Sequence, residues 1–269
     1  MTGPTDQALL AAVERSPEAA AAHDRAGWVG LFRSDGRVED PVGSRPHSGT
    51  AEIGRFFDTF IGPREISFHR DLDVIRGSSV IRDLDLEVVM GSAVTMTIPA
   101  FLRYDLSEAA GEWKIATLKA YWELPAMMWE FLGNGVSAVP AAVQLSRGLI
   151  RNQRLRGTAG FAGGFRRVGS RHKTLVETFV NAVGRGDRFA AQQTLSSGAT
   201  ITFGDGDTAD PAGIAELADR CAGAKTTKVI AAGSSVAASV TAGRQRGVLF
   251  ADMTRRGTGI HRIRYFPQR

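Results

Sequence analysis

Four runs of alternating apolar and polar side chains, at 66–75, 80–90, 93–104 and 113–123, follow one another with only short turns between them. Period-two alternation is the mark of a strand with one buried face, and four such runs in sequence make an antiparallel meander. In the second run Leu84, Leu86, Val88 and Met90 alternate with Asp83, Asp85 and Glu87, so the acids are expected on the wet side. In the fourth, Leu118, Ala120 and Trp122 share a face. An apolar sheet face must be covered, and the residues before the meander supply the cover. Leu9 to Ala22 reads as an amphipathic helix, and Trp28, Val29, Leu31 and Phe32 have the spacing of a second. Gly36 to Pro41 reads as a short strand stopped by proline, and Thr50 is expected to cap a helix carrying Ile53, Phe56, Phe57 and Phe60 on its inner side. Helices followed by an antiparallel meander predict an α+β fold, with helices packed on a curved antiparallel sheet.

The same order returns near the C-terminus. Leu175 to Val183 is helical in pattern, and Asp187 to Leu195 has the spacing of Asp24 to Phe32. Ala199 to Phe203 corresponds to Gly36 to Asp40, and Ile214 and Leu217 to Ile53 and Phe56. Four strand-like runs follow, at 227–232, 235–241, 246–254 and 260–266. We therefore expect two tandem domains of this α+β plan, at 1–126 and 170–269, joined by a basic Gly/Ala-rich connector at 127–169.

The net charge is +5, which taken whole hints at nucleic acid. Counted by segment it does not. Residues 1–125 hold 13 basic and 19 acidic groups, residues 126–173 hold 8 and 1, and residues 174–269 hold 12 and 8. The excess sits mainly in the connector, so no nucleic-acid partner is expected. Within it Ala138, Ala142, Leu145 and Leu149 fall opposite Arg147, Arg151 and Arg154 on a helix that Pro140 can begin. Three readings stay open for this helix: a solvated linker, a segment docked on a sheet, or a peripheral membrane contact through 138–156 on anionic lipid.

The chain starts with an amphipathic helix, not a signal peptide, and no apolar run is long enough to cross a membrane. Its lone cysteine, Cys221, excludes an intrachain disulfide and fits a reducing, cytoplasmic setting. His69, His172 and His261 lack metal-ligand spacing, and no phosphate-binding glycine loop follows a strand, so neither metal nor cofactor is expected. Gly204-Asp205-Gly206-Asp207 looks like a fragment of a calcium loop, but it lacks the closing Glu and reads as a turn in water.

The run with most chemical content is Phe32-Arg33-Ser34-Asp35-Gly36-Arg37-Val38-Glu39-Asp40-Pro41-Val42-Gly43. With Ile53, Phe56 and Phe57 after it and Ala120-Tyr121-Trp122 closing the meander, it resembles the ketosteroid isomerase family. That family belongs to a superfamily with SnoaL-like polyketide cyclases and nuclear-transport-factor-2-like proteins. The resemblance implies that both domains are cone-like, and that Asp40 is a general base at the floor of an apolar conical pocket, moving a proton on a hydrophobic ketone such as a 3-oxo-Δ5 steroid without a cofactor. It also implies a pocket wall containing Trp122, Phe57, Leu86, Val88, Met90, Ile98, Ala100, Leu118 and Ala120. Relatives of this fold commonly pair through their sheets, which implies an internal pseudo-dimer or a homodimer.

The chain departs from the family where the oxyanion is held. Ser16 stands at the position of the family's tyrosine, Ala100 at that of its aspartic acid, and Phe32 and Phe57 at those of two bracing tyrosines. Ser16, His23, Thr95 and Thr97 are the remaining polar candidates. In the second domain Phe203 stands where Asp40 stands, which implies a copy without a base. Two other readings stay beside isomerisation: binding of an apolar ligand or partner without turnover, and SnoaL-like cyclisation or epoxide hydrolysis.

Overall fold

The computed structural model describes residues 5–90, 94–123, 125, 127, 169–206, 209–254 and 259–268. The connector helix expected at 138–156 lies outside them, as does Asp207. The chain divides into two compact units, each built on one six-stranded sheet.

In domain 1, α1 (Asp6–Ala21) and α2 (Arg25–Gly30) precede β1 (Phe32–Glu39), β2 (His47–Ser48) and α3 (Gly49–Phe56). A π-helical turn, Phe57–Ile61, extends α3 before β3 (Glu65–Arg76), β4 (Ser79–Met90), β5 (Val94–Ala109) and β6 (Glu112–Tyr121). Asp24 caps α2 by accepting the Gly27 N–H at 2.8 Å. Ser48, not Thr50, occupies the cap position of α3, and Glu52 reaches back to the Ser48 N–H at 3.0 Å. The strand order is β2-β1-β6-β5-β4-β3. The meander β3 to β6 is antiparallel as expected, but β1 runs parallel to β6, so the sheet is mixed.

Strand β1 starts earlier than the proline-bounded reading suggested, because Phe32 already pairs with Ile115. The next pair is Arg37 with Thr117, so β1 advances five residues while β6 advances two. The excess is folded into a bulge at Gly36, where a Cβ would come within 2.9 Å of the Arg33 carbonyl. Past the bulge, Val38 pairs with Leu118 and Glu39 with Lys119, and the Val42 N–H closes on the Ala120 carbonyl at 2.8 Å. The intervening Asp40–Pro41 bond is cis.

Domain 2 repeats this plan. Helices α4 (Ser170–Gly184) and α5 (Arg188–Gln193) lead to β7 (Leu195–Phe203), β8 (Asp210–Ala212), α6 (Ile214–Arg220) and β9 (Lys225–Ala232). Strands β10 (Ser235–Ala242), β11 (Gln245–Met253) and β12 (Ile260–Pro267) complete a sheet ordered β8-β7-β12-β11-β10-β9. Asp187 caps α5 as Asp24 caps α2, accepting the Ala190 N–H at 2.9 Å. Even the bulge recurs: Leu195 pairs with Ile260 and Thr200 with Arg262, again five residues against two.

Two expectations about polar residues need correction. Asp83 is not on a wet face; it is 1% exposed, because the sheet face opposite the helices is covered along Ile81, Phe101, Arg103 and Tyr121 as well. Asp205 is not in water either, since it takes hydrogen bonds from Arg262 at 2.6 Å and Arg264 at 3.0 Å.

Candidate active site

The interior face of the first sheet follows from one contact and the ladder. Arg82 of β4 reaches Glu14 of α1, so residues of the same parity on β4 face the helices. Cross-strand pairing carries that face from Leu84 to Ala100, from Leu86 to Ile98 and from Val88 to Met96. It continues from Leu102 to Ala120 and from Tyr104 to Leu118, and from Leu118 to Val38. Met90 closes β4 opposite Val94.

Asp40 stands on this face one residue beyond β1, level with Ala120. Its Oδ1 accepts the Trp122 indole N–H at 2.6 Å. Trp122, partly buried, packs against the cluster of Val88, Val94, Met96 and Ile98, so the carboxylate's one polar partner rests on apolar wall. Burial pushes the Asp40 carboxyl up to about 6, and the hydrogen bond from Trp122 holds it from rising further. A carboxylate of that basicity is a competent base near neutral pH.

Ser16 is buried on α1 and accepts the Trp28 indole N–H at 3.2 Å. The other residues at bracing positions turn to the aromatic core. Phe57 lies 5.6 Å from Trp28 between ring centroids, and Phe32 lies 4.8 Å from it. Phe57 is 2% exposed at the start of the π turn, packed against Trp28. Three of the polar candidates do not share the face. Thr95 and Thr97 are exposed because they alternate with Val94, Met96 and Ile98, and His23 is exposed at the left-handed junction of α1 and α2.

Residues 8–129 match the nuclear transport factor 2 (NTF2) domain family. The first domain is NTF2-like. Solved structures similar to this chain include RV0760c from Mycobacterium tuberculosis, 26% identical, covering 45% of this chain and 96% of that one with a TM-score of 0.41. The Δ5-3-ketosteroid isomerase from Mycobacterium sp. is 27% identical over 44% of this chain and 95% of that one, with a TM-score of 0.40. An epoxide hydrolase of the LEH-like type from M. tuberculosis is 16% identical over 51% and 98%, with a TM-score of 0.43.

Within the NTF2-like domain, sequence reasoning missed a network on the opposite sheet face. Ser79 donates to Asp105 at 2.7 Å, and Arg103 donates to the same carboxylate at 2.9 Å. Domain 2 has the same pair, Ser235 to Asp252 at 2.7 Å, with Arg264 supplying the cation. The signal was present in the sequence: Gly77-Ser78-Ser79-Val80 and Gly233-Ser234-Ser235-Val236 are the same tetrapeptide at the same hairpin, with both glycines at positive φ.

Proposed function

We propose that the NTF2-like domain catalyses cofactor-free proton transfer on a hydrophobic ketone, of the class of 3-oxo-Δ5 steroids, with Asp40 as the general base. The observation that carries this reading is a carboxyl near pKa 6 on an apolar interior face, steadied by a single indole N–H. With such a substrate, Asp40 removes a proton from the carbon between the carbonyl and the double bond. The electron pair moves into a dienolate, and Asp40 returns the proton two carbons further on, so no atom is gained or lost. Trp122 stabilises the ionised base and fixes its orientation.

The dienolate oxygen needs a donor. Ser16 is the polar side chain at the matching helix position; its oxygen already accepts from Trp28, which leaves its own O–H to donate. Ala100 offers nothing at the second family position. A missing donor of this kind costs about a hundred- to a thousandfold in rate, so turnover slower than a full oxyanion hole allows is expected. The Ala100 position also favours a second reading, binding of an apolar ligand without turnover. Cyclisation or epoxide opening stands behind both: Glu39 is turned to the Gly43 N–H at 2.9 Å, and Asp83 lies on the other face. Cys221, free and buried, accords with a cytoplasmic setting.

The test is conjugated-enone absorbance on adding a Δ5-3-ketosteroid. Wild type should turn over, with the rate rising through about pH 6 as Asp40 ionises, and Asp40→Asn should lose about a hundred- to ten-thousandfold. No turnover by wild type, with steroid binding retained by Asp40→Asn, leaves the binding reading.

A further inference from the structure

Helix α1 carries two stripes. Leu9, Val13, Ser16 and Ala20 are buried in the core. Beside them Glu14, Pro17, Glu18 and Ala21, at i, i+3, i+4 and i+7, form one wall of an open cleft. The other walls are β3, through Ile66, Phe68 and Arg70, and β4, through Arg82 and Leu84. The cleft holds about 370 Å³, within the range of small-molecule sites.

The polar groups of the cleft meet at one carboxylate. Arg82, its side chain 3% exposed, reaches the Glu14 Oε2, and Arg70 reaches the same oxygen at 3.4 Å. Among the described residues nothing hydrogen-bonds the other oxygen, Oε1, and the Glu14 side chain is 44% exposed. The buried guanidinium thus holds Glu14 in place and leaves one acceptor at the cleft wall. An ionised carboxylate only accepts, so whatever meets Oε1 must donate. The surrounding charges choose between donors. Glu14 and Glu18 stand with Arg70 and Arg82, two acids with two bases, so the lining offers an ammonium no net attraction. A hydroxyl donates without a charge, and an apolar body attached to it would be covered by Pro17, Ile66, Phe68 and Leu84.

We infer that the cleft between α1 and β3–β4 is a binding site for a neutral apolar molecule bearing a hydroxyl, with Glu14 Oε1 accepting its O–H. The site asks nothing of Asp40, and it holds its ligand whether or not that carboxylate moves a proton.

The probes are decalol, a bicyclic alcohol with no ketone, and its methyl ether, each titrated into the full chain by calorimetry. The alcohol should bind about tenfold tighter, the gain of a hydrogen bond to a charged group. The paired substitution Glu14→Met with Arg82→Met removes both charges together, leaves none buried alone, and should make alcohol and ether bind equally. Should that variant not fold, Glu14→Gln keeps the shape with a weaker, neutral acceptor and should narrow the preference. Ser67→Trp, at an exposed position of the edge strand β3, fills the cleft and should weaken both probes about tenfold or more. Equal affinity of alcohol and ether for wild type overturns the assignment. So does a preference that these charge changes leave intact, or unchanged binding to Ser67→Trp. A preference erased by Asp40→Asn puts the hydroxyl at the other carboxylate, and failure of decalol to bind at all leaves no site; either overturns it as well. None of these outcomes bears on enone formation at Asp40.

Discussion

The two domains share a backbone plan and differ in what fills it. Register places Phe203 and Tyr265 side by side where domain 1 has Asp40 beside Ala120. Counting back eight residues from the capping aspartates, Phe179 takes the place of Ser16. The ladder likewise sets Pro267, whose side chain carries no donor, where the Trp122 indole donates to Asp40. Phe203 and Tyr265 lie 6.1 Å apart between ring centroids, and the Arg220 guanidinium sits 4.4 Å over the Phe203 ring. Among the described residues of domain 2, Phe179, Tyr265 and Cys221 line an apolar cavity of about 10 Å³, hardly room for one water. A few interior side chains thus separate a domain with a carboxylate on its interior face from one with aromatic rings at the same place.

The harshest way to break this contrast is to give domain 2 the missing base. Phe203→Asp removes a fully buried ring and leaves a carboxylate in its place, and should cost about 4 kcal/mol in urea unfolding without creating isomerase activity. An active, undamaged variant would show that the second interior is open after all.

Asp40→Asn is the converse change. Because burial raises the Asp40 pKa from 3.8 to about 6, the folded state holds its proton over a window in which the unfolded state has lost it. Asp40 therefore costs nothing below about pH 4, and its cost grows through about pH 6 and is full above it. Asparagine can still accept from Trp122 and carries no charge. The variant should be more stable than wild type by about 3 kcal/mol at pH 8 and by nearly nothing at pH 4. Equal stability at both pH values would place the carboxylate in water and end its distinction from Phe203.

Trp122→Phe tests the donor that domain 2 lacks. Without the N–H, desolvation acts unopposed, the base weakens its hold on the ionised form, and the acid limb of the pH–rate profile should move upward from about 6. The rate at pH 6 should then fall more than the rate at pH 8. A uniform drop would assign Trp122 to packing only.

The smallest effect probes what the domains have in common. Ser79→Ala and Ser235→Ala each delete one hydrogen bond to a part-buried aspartate and should each cost about 1 kcal/mol, read from denaturation midpoints. Unequal losses would mean that the shared tetrapeptide is a hairpin habit and not a shared device.

Much of this was legible in the residues. The four alternating runs located β3 to β6 to within a few residues, except that β5 runs on to Ala109. Asp40 stood out through its neighbours Val38, Glu39 and Pro41, and Phe203 through its matching offset. Other features could not be read locally. The parallel pairing of β1 with β6 joins segments some eighty residues apart, and nothing between Arg33 and Gly36 announces a bulge. The burial of Asp83 depends on cover over the second sheet face, which alternation along one strand cannot reveal. Phe57 falls at a change of helical pitch, so its facing followed the π turn and its approach to Trp28.

The contact between Trp122 and Asp40 also has an optical side. An indole whose N–H points at an ionisable carboxylate changes its electronic surroundings when that carboxylate takes up a proton, whereas Trp28 faces the non-titrating hydroxyl of Ser16. The chain thus carries its own chromophore on the group that titrates near pH 6, and its near-ultraviolet spectrum is tied to the charge state of Asp40 without any label.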